Sequence, residues 1–223
     1  MTSEKHSSAF PFLAGAVAAI VAAALVATSA TSIAQAQTGG SPRWIGTWST
    51  GLLAALPPPS ISLAPPASAP FPSPPRVANQ TLRQIVRVSI GGTQVRVALT
   101  NRFGTKPLRV GAAHVARRAE GSALDGSGAP LTFGGRPSVT IEAGSLVLSD
   151  PVPVPVRALS DVAVDLFLPD DMWAAGSPAT YHASALTTSY LSKAGNHAGV
   201  VRLPVESAFQ QWLFLARDRK SVV

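Results

Sequence analysis

A strict alternation of apolar and polar residues is the feature that most constrains the fold of this chain, and it is clearest in residues 161–168. One face of that segment carries Val162, Val164, Leu166 and Leu168, whereas the other carries Asp161 and Asp165. Successive side chains of a β-strand point to opposite sides, so a period of two predicts a half-buried strand. After Ala36 no stretch of about twelve residues has the helical period of 3.6. The pattern therefore favours an all-β protein.

Further strands are predicted wherever runs rich in valine, isoleucine and leucine lie between turn residues. They cover residues 44–48, 82–90, 95–100, 108–116, 131–133, 138–141, 146–148, 181–191 and 211–216, with 151–156 as a proline-interrupted edge strand. Gly91 and Gly92 predict a two-residue hairpin turn, and in the run after it the valines are expected to point inward and Arg96 outward. Roughly eight to ten short strands predict an antiparallel β-sandwich or barrel.

The composition excludes several classes of site. Of the 223 residues, 46% are hydrophobic and 13% are charged, so the chain can bury a core. It contains no cysteine, which excludes disulfides, thiolate metal sites and a cysteine nucleophile. The motifs G-x-x-x-x-G-K-[ST], G-x-G-x-x-G and H-E-x-x-H are absent. We therefore expect neither a metal nor a cofactor.

The first 36 residues have the pattern of a helical secretory signal peptide. Lys5 lies in a short polar region, residues 13–26 are an unbroken apolar run, and Ala34-Gln35-Ala36 matches a cleavage site. The apolar run is shorter than the approximately 20 residues that span a bilayer. Cleavage after Ala36 would give a secreted, periplasmic or extracellular protein, and the alternative is a membrane anchor formed by the uncleaved segment.

The rest of the chain divides by composition. The predicted parts are a strand segment at residues 37–56, a proline-rich loop at 57–75, a β-sandwich domain at 76–216 and a short terminal piece at 217–223. Proline removes a backbone donor, so the proline-rich segment cannot form a strand ladder. We interpret it as an extended surface loop, with a polyproline ligand as the alternative.

Three histidines are candidates for chemistry. His182 lies on a predicted strand near Ser184 and Ser189, which is the residue set of a small hydrolase. No acid lies between them to orient the imidazole, and the nucleophile elbow G-x-S-x-G is absent. A structural role is therefore favoured for His182 and for His114, and a solvated loop position for His197.

Seven arginines fall within 36 residues of a chain that carries a net charge of +7. They are Arg83, Arg87, Arg96, Arg102, Arg109, Arg117 and Arg118. Such a field could attract nucleic acid or an anionic surface. Only Phe103 in this stretch could stack on a base, so we expect no nucleic acid partner and interpret the arginines as a solvated or domain-contacting face.

Large aromatic residues could instead stack on sugar rings. The candidates are Trp44, Trp48, Trp173, Tyr181 and Trp212. Core packing is the default role of such residues in strands, and this applies most directly to Trp44 and Trp212.

Several short motifs occur in a fixed order along the chain. They are WIGTW (44–48), NQTLRQIV (79–86), SIGG (89–92), VRV (95–97), TNRFG (100–104), LTFGG (131–135), SDPV (149–152) and TYH (180–182). Together they resemble the N-terminal region of bacterial secreted SGNH/GDSL-type esterases, over residues 43–216. The resemblance implies a jelly-roll-like β-domain that precedes an α/β domain performing ester hydrolysis.

The same resemblance implies catalytic blocks that this chain lacks. The family's Gly-Asp-Ser block is absent, no histidine has an aspartate three places before it, and Asn79, Asn101 and Asn196 do not lie in a G-x-N-D motif. No catalytic residue is therefore carried over. Residues 221–223 resemble the beginning of the strand that leads to the serine block, so we expect 217–223 to be the truncated start of a hydrolase domain.

The sequence thus predicts the non-catalytic β-domain of an exported ester hydrolase, whose partner is a missing or separate SGNH catalytic domain. The alternative is a carbohydrate- or surface-binding β-sandwich module that contacts a polysaccharide or an ester substrate surface.

Overall fold

The computed structural model describes residues 43–55, 72–173 and 177–222. The predicted signal peptide (1–36) and residues 57–71 of the predicted proline-rich loop lie outside these ranges. Within them, no helix is long and apolar enough to cross a membrane.

Regular structure in the described residues consists of antiparallel β-strands. They are β1 (Arg43–Ile45), β2 (Leu53–Ala55), β3 (Gln80–Val88), β4 (Gln94–Thr100), β5 (Leu108–Val110), β6 (Ala112–Arg117), β7 (Ala129–Pro130), β8 (Val139–Ile141), β9 (Leu146–Leu148), β10 (Ser160–Leu168), β11 (Ala179–His182), β12 (Ser189–Ala194), β13 (Val205–Phe209), β14 (Trp212–Leu213) and β15 (Leu215–Val222). The all-β prediction is confirmed, and the sheets are consistent with a β-sandwich.

The largest sheet has six strands in the order β13-β12-β3-β10-β6-β7. Its centre is the β3–β10 pair, in which residues 80–88 oppose 160–168 without interruption. The alternation in β10 predicted this strand correctly, because Val162, Val164 and Leu166 are at most 2% exposed and lie in the main core. Burying each such side chain contributes about 1.5–3 kcal/mol.

A four-stranded sheet in the order β1-β15-β4-β9 contributes to the same core. Val95, Val97 and Leu99 of β4 are at most 1% exposed, whereas Arg96 is only half-buried, as predicted. Strand β15 lies between β1 and β4, so the domain boundary predicted after residue 216 falls inside a strand. Its polar residues, beginning with Arg217, concealed the strand from the hydrophobic pattern.

The predicted hairpin at Gly91 and Gly92 is wrong. Strands β3 and β4 belong to different sheets, and neither glycine has a positive φ. Glycine is required here for close backbone approach instead. A Cβ on Gly91 would lie 2.6 Å from the Val156 carbonyl oxygen, and one on Gly92 would lie 2.5 Å from that of Ser221.

Two predicted strands are each split between sheets. The run 108–116 is divided at Gly111 into β5, which pairs with β8, and β6, which joins the six-stranded sheet. Gly111 packs against Phe167, since a Cβ there would lie 2.9 Å from the ring. The run 181–191 is divided into β11, which pairs with β2 and β14, and β12, which pairs with β3 and β13.

Two shorter predictions are corrected. Residues 131–133 and 151–156 form isolated bridges rather than strands, among them Phe133 with Arg136 and Val152 with Val95. Alternating prolines remove the donors that a continuous ladder would need at residues 151–156.

Candidate functional site

Trp48, His182 and Trp212 form a half-buried aromatic group. The rings of Trp48 and Trp212 meet edge to face, with centroids 4.8 Å apart. Strands β11 and β14 place His182 opposite Trp212, and the two rings stack with centroids 5.3 Å apart. The Trp212 indole N–H donates to the Ile85 carbonyl at 2.8 Å, which fixes the ring. Together these contacts hold three segments that are distant in sequence.

One ring nitrogen of His182 is hydrogen-bonded to a backbone carbonyl. Its Nδ1 lies 2.7 Å from the Gly51 carbonyl oxygen, so this nitrogen carries the proton. Ser184 is exposed, whereas Ser189 is fully buried with an unpartnered hydroxyl. Across the described ranges, no hydrogen bond joins a serine hydroxyl to an imidazole. The structure therefore does not bring the predicted hydrolase set together.

An open cavity of about 450 Å³ adjoins Trp48. Its lining consists of Gly46, Thr47, Trp48, Ser49, Arg217, Asp218 and Arg219. Arg217 and Ser49 are exposed, and Arg219 is half-buried. The cavity thus combines one aromatic side chain with two guanidinium groups.

A buried charge network lies under this cavity. Asp218 accepts hydrogen bonds from the Thr47 hydroxyl at 2.8 and 2.9 Å and forms an ion pair with Lys220. The Lys220 side chain is 0% exposed, and burial lowers its pKa although the Asp218 carboxylate opposes that shift. The network ties residues 46–49 to β15.

A second buried ion pair lies on the other face of the six-stranded sheet from the main core. Arg83 of β3 and Asp165 of β10 are cross-strand partners, and the guanidinium contacts both carboxylate oxygens at 2.7 Å. The side chains are 0% and 1% exposed. The remaining donors of Arg83 reach the Ser122 and Val200 carbonyls at 2.7 and 2.8 Å. The pair therefore fastens two loops over the sheet.

His114 of β6 lies beside the Arg83–Asp165 pair, because it is directly opposite Asp165 on the neighbouring strand. Its ring fills the space beside Gly128 and Gly199, where a Cβ would lie 2.1 and 2.8 Å from ring atoms. The His114 Nδ1 is buried without a hydrogen-bond partner in the described structure. The structural role predicted for His114 agrees with this packing.

The stability of the fold is expected to decrease as the pH falls below about 6.5. Burial lowers the pKa of His114 from its ordinary value of 6.5; Asp165 opposes the shift and Arg83 adds to it. A lowered pKa of a base means that the unfolded chain binds the proton more readily, so the His114 contribution is complete above the unfolded-state pKa and is lost below it. Urea unfolding at pH 5 and pH 7.5 measures the loss, and His114→Gln is expected to reduce this pH dependence.

Most of the predicted basic cluster is neutralised by ion pairs. Arg87 and Arg118 contact Asp161, Arg109 contacts Asp170, and Arg117 contacts Asp125. Arg83 is completely buried, which corrects its predicted place on a solvated or domain-contacting face. For Arg83 and Arg87 the cause is simple, because Asp165 and Asp161, far along the chain, are their direct cross-strand partners.

A smaller cavity of about 300 Å³ has an apolar floor that includes Met172 and Phe214. The Arg109–Asp170 pair lies on its lining. Phe214 has a φ of 58°, a conformation that is uncommon for a bulky residue. Its carbonyl accepts a hydrogen bond from the Thr100 N–H and its own N–H donates to the Thr180 carbonyl, which holds it at the junction of β14 and β15.

The remaining aromatic candidates are dispersed. Tyr181 is 6% exposed in the core, and Trp173 packs against the core from its edge. Trp44 lies under the Arg96 guanidinium, 5.6 Å from the ring centroid. His197 was predicted to be solvated, but it is half-buried. Its backbone N–H donates to the Thr81 hydroxyl, and its Nε2 lies 3.1 Å from the Ala194 carbonyl oxygen.

Sequence reasoning missed Asp165, Asp218 and Lys220 as structural determinants. The usable signal for Asp165 was a carboxylate inside an otherwise apolar nine-residue strand, because such a group requires a partner. No comparable signal marked Asp218 and Lys220, which alternate with the charged residues Arg217 and Arg219.

No protein-family model matches the chain, and no curated protein matches its sequence. Among the described residues, no group of three or more histidine, aspartate or glutamate side chains could hold a metal ion.

Proposed function

We propose that this chain is the non-catalytic β-domain of an exported SGNH/GDSL-type ester hydrolase, with a jelly-roll-like arrangement of its strands. The ordered motifs of the resemblance support this, because the longest of them, NQTLRQIV, overlaps β3, VRV lies in β4 and TYH lies in β11. The proposed partner is a separate SGNH catalytic domain.

The geometry around His182 is the observation that carries the non-catalytic part of the proposal. Ester hydrolysis by a serine needs an activated hydroxyl, a base that takes its proton, and donors for the oxyanion. The protonated nitrogen of His182 faces a backbone carbonyl, and its ring rests on Trp212. Among the described residues, no serine hydroxyl and no carboxylate is hydrogen-bonded to this imidazole, so the groups that serine catalysis needs do not meet at His182, which supports a non-catalytic domain.

Two measurements test the proposal. The purified chain is expected to show no saturable hydrolysis of p-nitrophenyl acetate and no labelling by a serine-directed phosphonate. An SGNH catalytic domain that carries its own Gly-Asp-Ser block is expected to bind the chain in calorimetry and to gain thermal stability. Turnover that the phosphonate abolishes would contradict the first expectation. Absence of binding to catalytic domains of this family at about 100 µM would contradict the second.

The second candidate function is glycan binding, and the half-buried Trp48 beside an open cavity favours it. An indole face supplies a large apolar surface for a sugar ring. Retention on insoluble glycan is expected to depend on Trp48, and Trp173→Ala serves as the control because Trp173 also packs against the core but does not line this cavity. Equal retention of the Trp48→Ala variant would argue against this candidate.

A further inference from the structure

We propose that the outer face of the four-stranded sheet binds an acidic polysaccharide through Arg96, Arg217 and Arg219. The inference rests on the glycan-binding candidate, which it deepens by naming the ligand class and the residues. It does not depend on the ester-hydrolase proposal.

Strand geometry places these arginines together. Asp218 and Lys220 face the core side of β15, opposite Val97 and Val95, so Arg217 and Arg219 share the outer face. The register places Arg219 directly opposite Arg96 on β4. Arg217 and Arg219 also line the cavity that contains Trp48. The three guanidinium groups and the cavity therefore form one continuous surface.

These three arginines differ from those of the six-stranded sheet in their partners. Among the described residues, no ion pair includes Arg96, Arg217 or Arg219, whereas Arg83 and Arg87 are paired with aspartates. Arg96 donates from Nε to the Ser149 carbonyl at 2.8 Å, which orients the guanidinium. The acid that interacts with Arg96 is Asp150, which already accepts hydrogen bonds from Thr132 and Gly135.

The direct pairing of Arg219 with Arg96 has an energetic consequence. Like charges directly opposite one another on adjacent strands destabilise a sheet. An anion bound between them would replace this repulsion with attraction. This repulsion therefore destabilises the free protein, and an anionic ligand would relieve it.

The shape of the surface favours an acidic sugar over other anions. A guanidinium pairs in a bidentate manner with a carboxylate or a sulfate group, and the cavity of about 450 Å³ has room for a sugar ring beside Trp48. Single-stranded nucleic acid needs successive exposed aromatic platforms. On this face Trp44 is half-buried and covered by Arg96.

The test compares two double variants that each remove two positive charges. Arg217→Gln/Arg219→Gln changes the proposed site, and Arg102→Gln/Arg157→Gln changes two exposed arginines elsewhere. Binding to polygalacturonate, dextran sulfate and neutral dextran is measured by calorimetry, and thermal midpoints are measured with and without each polymer. We expect the wild type to bind at least one acidic polymer and to be thermally stabilised by it. The site variant should bind at least about tenfold more weakly, whereas the control should change by less than about twofold.

Each outcome decides the inference. The two acidic polymers distinguish carboxylate from sulfate recognition. Equal losses in both double variants, duplex DNA binding as tight as either polymer, or no binding of either polymer would overturn the proposal. Retention on neutral insoluble glycan without binding to the acidic polymers would overturn it while leaving the glycan-binding candidate intact. If the double variant fails to unfold cooperatively, Arg217→Gln alone gives the same test, because that side chain is exposed.

Discussion

Replacing Asp165 with alanine is expected to destabilise the protein by about 3–5 kcal/mol, because removing one partner of a buried ion pair leaves the other charge uncompensated. Arg83 is 0% exposed and cannot reach water without moving the loops that accept its hydrogen bonds. The Gly199 amide would also lose its acceptor, the Asp165 carboxylate at 2.8 Å. Urea unfolding followed by tryptophan fluorescence measures the change.

The matched control is Asp170→Ala, which removes an aspartate from an exposed arginine pair. Its unfolding midpoint should remain that of the wild type, because both groups stay hydrated. The double variant Arg83→Met/Asp165→Leu is expected to recover part of the loss, since it removes the stranded charge. An Asp165→Ala protein within about 1 kcal/mol of the wild type would show that the pair does not hold the loops in place.

The hydrophobic pattern predicted single strands well and strand partners poorly. The alternation in residues 161–168 identified the side chains of β10 that face the main core, because periodicity is a local property, but it did not show that Ala163 and Asp165 on the other face are also buried. It could not show that β3 and β4 enter different sheets, since Gly91 and Gly92 satisfy a hairpin rule equally well. Only the neighbouring Val156 and Ser221 carbonyls, far along the chain, decide what those glycines do.

The candidate site was less accessible from sequence than the fold. The arginine-rich stretch looked like one charged face, yet Arg83 and Asp165, 82 residues apart, are in fact a buried pair. Conversely, Arg217 and Arg219 lie outside that stretch and acquire their place beside Arg96 only through the pairing of β15 with β4. The positions of the charged residues along the chain therefore predicted neither the Arg83–Asp165 pair nor the group formed by Arg96, Arg217 and Arg219.

Removing residues 217–223 is expected to abolish cooperative folding, although the sequence alone placed these residues outside the β-domain. Strand β15 pairs with β1 on one side and with β4 on the other. Its loss leaves β1 without its partner, exposes the inner edge of β4 and removes the acceptor of the Thr47 hydroxyl. The combined cost should exceed about 5 kcal/mol, which is the lower end of the stability of a whole domain. Thermal unfolding followed by circular dichroism measures the effect.

Two variants distinguish the stabilisation by the backbone of β15 from the stabilisation by its side chains. Arg217→Gln/Arg219→Gln should keep a sharp transition, because these side chains lie on the outer face and the ladder is intact. Asp218→Ala should unfold at a clearly lower temperature, because Lys220 remains buried without its carboxylate. A truncated chain that unfolds sharply within a few degrees of the full chain would contradict the expected role of β15, since a loss of about 1 kcal/mol already moves the midpoint by that much. The thermal midpoint of Asp218→Ala, compared with that of the wild type, then measures how much of the stabilisation by β15 comes from the buried network of Thr47, Asp218 and Lys220.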